Sequence, residues 1–237
     1  MSSIRVRLPF TDRAEAGALL AEVLSGMGLE DPVVLALPRG GVAVAVPVAG
    51  RLGVALDVLV TRKIGYPGQP ELGVGAIAEG GEPVFDLQLL GRLTMEPRDV
   101  DWVVERERRE LVRRVRAYRG DRPLPGLGGR DVIVVDDGLA TGGTARAAVR
   151  AVRARQEGRG TVTLAVPVAA ADTVALLREE ADRVVVLATP RGFRAVGQWY
   201  ERFDQLTDDD VLALLAVAEA AQMSRPRGEP GAGTSGG

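Results

Sequence analysis

The sequence predicts an α/β protein built on a mostly parallel, twisted sheet with helices on both faces, and three observations carry that reading. Apolar, β-branched runs at 33–37, 56–60, 132–135, 162–166 and 184–187 alternate with helical periodicity, the pattern of strands joined by crossover helices. These runs are apolar on consecutive positions rather than alternate ones, so their strands should be buried on both sides. The chain of 237 residues is long enough for one sizeable core.

Taken in order, the helices read at 11–27, 41–52, 143–156 and 171–180. Two stretches break the alternation. Residues 73–85 alternate around Gly80-Gly81 and read as a β-hairpin leaving the core. Residues 98–119 read as a long helix whose apolar stripe is Val100, Val104, Leu111, Val115 and Tyr118. Glu105 with Arg109 and Glu110 with Arg114 stand in the favourable Glu-first order, four residues apart. That helix carries eight Arg against five acids; it is read as a solvated amphipathic face, with a basic RNA-contacting face as the alternative. One domain is expected over 1–222, with the hairpin and helix as an insertion at about 66–122, and a disordered tail over 223–237, where Gly, Pro and Ser leave little to bury.

Composition narrows the chemistry. The formal net charge of −2 makes nucleic acid an unexpected partner. No apolar stretch approaches the roughly 20 residues of a membrane span, and residues 1–10 lack a signal-peptide core, so a cytoplasmic protein is expected. With no Cys and no His, disulfides, thiolate metal sites and imidazole catalysis are excluded. Lys63 is the single lysine among 30 basic residues, and asparagine is absent; these biases fit a thermophile and high genomic G+C equally.

The chemistry is concentrated after the 132–135 run. Asp136-Asp137 is followed by Gly138, Leu139, Ala140, Thr141, Gly142, Gly143 and Thr144, and then by a helix. A strand, a small-residue loop and a helix start form an anion site, because free amides converge there and the helix dipole adds its positive end. Gly142 and Gly143 let the backbone close around a phosphate, and Thr141 and Thr144 add hydroxyls. Two carboxylates beside an anion are repulsive, so Asp136 and Asp137 should face ribose hydroxyls or Mg²⁺. A ligand carrying a 5-phosphate and a 2,3-diol satisfies both halves. There is no Walker A loop and no Gly-x-Gly-x-x-Gly after the first strand.

The segment 134–144 resembles the 5-phosphoribosyl 1-pyrophosphate (PRPP) motif of type I phosphoribosyltransferases, and its Asp-Asp-x-Leu-Ala-Thr-Gly-Gly-Thr form is very like the adenine-specific group. Over about 10–222 the chain is similar to bacterial phosphoribosyltransferases of unassigned acceptor. The resemblance implies the type I phosphoribosyltransferase fold with a small hood at about 188–206. It implies a pentosyltransferase of nucleotide salvage, dependent on Mg²⁺, that moves the phosphoribosyl group from PRPP to a base-like acceptor with release of pyrophosphate, and a homo-oligomer, a dimer. A PRPP sensor without turnover, binding RNA or a protein, is the alternative.

Residue by residue, the resemblance implies that Asp136 and Asp137 hold the ribose and Mg²⁺, and that Ala140, Thr141, Gly142, Gly143 and Thr144 hold the 5-phosphate. Arg39, Gly40 and Gly41, after the first strand, match the pyrophosphate loop, which in the family often contains a cis peptide; a guanidinium with amide donors suits a diphosphate. Arg62 and Lys63 match an Arg-Lys pair ahead of a mobile catalytic loop that would start at 66–72. Glu79 at the hairpin tip matches a Glu that assists the acceptor base, with Glu71 the second candidate for that proton transfer. Ala140 stands where the 6-oxopurine enzymes carry an acid, which argues against hypoxanthine or guanine. Phe193, Trp199 and Tyr200 match a base-lining stretch, and their near-helical spacing fits core packing equally.

Overall fold

The computed structural model describes residues 6–156, 158 and 160–224. Along the chain the elements are α1 (Arg13–Ser25), β1 (Val33–Ala36), α2 (Gly40–Leu52), β2 (Leu56–Val58), β3 (Thr61–Tyr66), β4 (Gln69–Ala78), β5 (Val84–Phe85), α3 (Leu87–Arg92), α4 (Asp101–Arg119), β6 (Val132–Val135), α5 (Gly143–Gln156), β7 (Val162–Val168), α6 (Ala171–Leu177), β8 (Arg183–Ala188) and α7 (Asp208–Met223). Five strands form a parallel sheet in the order β2-β1-β6-β7-β8.

The twofold alternation of a strand explains why β1 and β6 had to be apolar throughout. Val34, Ala36, Ile133 and Val135 point into a core shared with Leu20 and Leu24 of α1 and Val44 and Val48 of α2. Val33, Leu35, Val132 and Val134 point the other way, onto Ala145, Ala148, Val149 and Val152 of α5 and Val174 of α6. A polar side chain anywhere on β1 or β6 would be buried without water on one face or the other.

β3, β4 and β5 form a separate antiparallel sheet, whose Ala76, Ala78 and Val84 pack on Ala147 and Ala151 of α5. The predicted hairpin is present, but it gains a strand that the sequence reading missed. Residues 61–66, directly after the 56–60 run, form a strand of another sheet, and the expected loop at 66–72 is the tip of the β3–β4 hairpin, turning at Pro67-Gly68. The parallel strand stops at Val58.

α4 buries Val103, Val104, Leu111 and Tyr118, and Val100 is buried in the 3₁₀ turn before it. Its guanidiniums are engaged by carboxylates: Arg113 and Arg114 by Glu110, Arg106 by Glu107, and Arg108 by Glu105 and Glu82. Glu105 thus pairs three residues on rather than with the expected Arg109. α7 was not foreseen, although its start is written in the sequence: Thr207 accepts from the Asp210 amide, and Asp210 accepts from the Thr207 amide, a capping box. Met223 closes this helix, and of the tail expected over 223–237, residues 225–237 lie outside the described residues. No helix among the described residues is long and apolar enough to cross a membrane.

Candidate functional site

The order of the parallel sheet reverses between β1 and β6: the chain leaves β1 for β2 on one side and returns to β6 on the other. Such a switch point opens a crevice beyond the carboxyl ends of the two strands. With Ala36 paired to Val135, the loop after β1 (Pro38, Arg39, Gly40, Gly41) and the loop after β6 (Asp136, Asp137) leave the sheet side by side. Two stretches almost 100 residues apart in sequence thereby form one site. The Pro38–Arg39 peptide bond is cis. A Cβ on Gly40 would lie 1.8 Å from Asp137 Oδ2, and one on Gly41 2.6 Å from the Val135 carbonyl oxygen, so both glycines are required by the approach of the second loop.

Asp136 and Asp137 are half-buried, and desolvation pushes both carboxyls above the ordinary range, Asp136 further because the Asp137 charge adds to it. Asp137 is partly compensated by Arg13, whose Nε donates to its Oδ2 at 2.8 Å. Asp136 Oδ1 accepts from the Asp137 amide at 2.8 Å. This is a pair held at a cost in desolvation, the condition in which a cationic or hydroxylic partner is most favourable.

Beyond the aspartates the loop turns through Gly142, whose φ of 73° suits glycine, and enters α5 at Gly143. The first amides of a helix have no carbonyl one turn earlier to bond, and Ala140, Thr141, Gly142, Gly143 and Thr144 line a cleft of about 500 Å³. Thr173 of α6 fixes the loop by donating its hydroxyl to the Ala140 carbonyl at 2.5 Å. The opposite wall comes from the hairpin sheet, where Lys63 and Glu71 reach the same cleft and Lys63 Nζ donates to the Glu71 carbonyl at 2.9 Å.

Several expected members lie elsewhere. Arg62 neighbours Lys63 on β3, and successive strand residues point to opposite faces; its guanidinium is bound to Glu107 of α4 at 2.7 Å, away from the cleft. Glu79 does not line the cleft either: it is engaged by the buried Arg119, and its carbonyl accepts from Arg155. Arg39 follows β1 as expected, but its side chain extends toward Asp208, 3.9 Å away at the start of α7. Tyr200 is 5% exposed, stacks on Phe203 and donates to the Asp137 carbonyl at 2.6 Å; burial drives its hydroxyl pKa upward. Phe193 and Trp199 pack on each other in the same cluster. Of the aromatic stretch, Val196 is the residue that lines the cleft. All three aromatics pack in one cluster with residues of the other chain end, Val6, Leu8 and Phe10.

Arg13 was missed because nothing in the sequence separates it from the other arginines. Among the described residues no group of three or more acidic side chains could hold a metal ion by itself. The adjacent carboxylates Asp136 and Asp137 are hard oxygen donors, the type of ligand that Mg²⁺ takes.

A family model described as phosphoribosyl transferase domain matches residues 12–193. A Mycobacterium tuberculosis protein, recorded in two strains and named a phosphoribosyl transferase, is 46% identical over 206 residues, which make up 87% of this chain and 46% of the relative. The chain thus spans about half the length of that relative. A crystal structure of a Thermus thermophilus protein superimposes with a TM-score of 0.73 at 46% identity, covering 88% of this chain and 98% of the other.

Proposed function

The chain belongs to the phosphoribosyl transferase domain family, and on that premise we propose that it transfers a 5-phosphoribosyl group from PRPP to a nitrogen nucleophile with release of pyrophosphate. One observation carries the reading: the half-buried pair Asp136-Asp137 and residues 140–144 belong to a single strand-to-helix loop, whose stretch 138–144 lines the same cleft as Lys63. Phosphate and vicinal diol are the two groups such a loop can hold at once.

In this reading the amides and hydroxyls of the loop take the 5-phosphate, supported by the start of α5. The carboxylates of Asp136 and Asp137 accept hydrogen bonds from the ribose hydroxyls and restrain the sugar while positive charge develops at its first carbon. The loop at 39–41 receives the pyrophosphate, with Arg39 leaving Asp208 to join it and Lys63 approaching from the hairpin. Mg²⁺, when bound at the two carboxylates, supplies charge neutralisation of the leaving diphosphate. Removal of the acceptor's proton is assigned to Glu71, the cleft carboxylate that lies 3.4 Å from Lys63 Nζ, and not to Glu79.

The test is pyrophosphate release from PRPP and Mg²⁺ across purine, pyrimidine and nicotinic-type acceptors, with PRPP affinity measured by calorimetry. Release with one acceptor, and loss of PRPP binding in Asp136→Asn/Asp137→Asn, are expected. The engagement of Glu79 by Arg119 favours one second reading, a PRPP sensor without turnover; tight binding with no release for any acceptor selects it. Unchanged PRPP binding in the double variant overturns the site.

A further inference from the structure

Arg13 opens α1, at the far end of the chain from the aromatic hood, yet it touches both the hood and the donor loop. Its Nε donates to Asp137 at 2.8 Å, its Nη1 donates to the Asp204 carbonyl at 2.9 Å, and its guanidinium lies 3.8 Å from the centroid of the Phe203 ring. The side chain is 11% exposed. A planar guanidinium with donors on its edge and an aromatic face beneath it can serve three partners at once, which an ammonium cannot. The neighbouring Asp12 bonds Arg202 at 2.5 Å and caps α1 through the Glu15 amide, so the attachment of the hood to the start of α1 is doubled.

Two further contacts tie the same parts together. Tyr200 donates its hydroxyl to the carbonyl of Asp137. Gly138, the next residue, lies so close under Val196 of the hood that a Cβ there would fall 2.6 Å from the Val196 Cγ1. The aspartate loop is therefore held from the hood side through a side chain, a carbonyl and a glycine contact, at consecutive positions.

We propose that Arg13 is a positioning residue which makes the hood part of the donor site, so that substitutions in the hood are felt as a loss of PRPP affinity. This rests on the reading of the cleft given above. A side chain that only stabilised the fold would loosen every element alike; Arg13 should loosen the aspartate loop selectively.

The experiment uses the full chain and two readouts. In ligand-free protein, Arg13→Met is expected to speed amide exchange across 137–144 by about tenfold while amides of β1 and β7 keep their protection. Its PRPP affinity is expected to fall about tenfold, with Arg13→Lys restoring part of the loss through the Asp137 pairing alone. Phe203→Leu, a milder change that keeps the segment apolar, is expected to weaken PRPP binding threefold or more, and the double variant to lose no more than Arg13→Met, because both act through one guanidinium. Exchange in 137–144 that is unchanged, or raised equally in β1 and β7, overturns the proposal, as does full additivity. Failure of the unsubstituted chain to bind PRPP overturns the functional reading instead, and the exchange pattern then decides the role of Arg13 by itself.

Discussion

Gly40 and Asp137 touch: a methyl group on the glycine would sit 1.8 Å from Oδ2 of the aspartate and 2.5 Å from its Cγ. The carboxylate cannot swing aside freely, because Arg13 holds it. Gly40→Ala should therefore cost about 1–3 kcal/mol through overpacking, read as a lower urea midpoint, together with weaker PRPP binding. Unaltered stability would show that the loops can separate.

Asp136 offers a test of sign. Its folded pKa lies above the ordinary value of 3.8, through burial first and the Asp137 charge second, so the stability linked to its protonated form is present below pH 3.8 and lost as pH rises through the folded value. At pH 8 the desolvated carboxyl opposes folding, and Asp136→Asn should stabilise the ligand-free chain by on the order of 1 kcal/mol. That advantage should shrink as pH is lowered toward 4. Thermal melts at a series of pH values check it; an Asn variant that melts below the parent at pH 8 contradicts the reading of the pair as a desolvated ligand site.

Glu79 should matter for folding rather than for chemistry. Arg119 is 1% exposed at its side chain and is held by Glu79, by Asp57 at 3.6 Å and by the Val58 carbonyl at 3.0 Å. Glu79→Ala leaves this cation short of a partner and is expected to cost about 3–5 kcal/mol. Chemical denaturation measures the loss. A variant with the parent's stability and no turnover would return Glu79 to the acceptor.

Lys63 predicts the reverse pattern. Its side chain is 45% exposed and that of Glu71 is 93% exposed, so their ion pair contributes no more than about 1 kcal/mol. Lys63→Met should leave the melting curve nearly in place while pyrophosphate release slows at least tenfold. A rate equal to the parent's would remove Lys63 from the site.

The doubly wound sheet was legible because its inner strands β1, β6 and β7 are buried on both faces, which forces nearly continuous apolar runs. The phosphate loop was legible because a strand, two carboxylates and a glycine turn at a helix start occupy consecutive positions. β3 was not: Thr61, Arg62 and Lys63 have no apolar alternation, and the strand exists because it pairs with β4. Arg62 and Lys63 looked alike until the pleat sent one to Glu107 and the other to the cleft.

By itself, then, the sequence determined the layered sheet and the local chemistry of residues 136–144, since both depend on neighbours along the chain. Tertiary structure alone decided which distant side chains face that loop. The parallel pairing of β1 with β6 brings Gly40 against Asp137, α1 delivers Arg13, and the hood sets the Tyr200 hydroxyl on the Asp137 carbonyl. Those relationships depend on which surfaces are buried together, a property of the assembled core that no local run of residues carries.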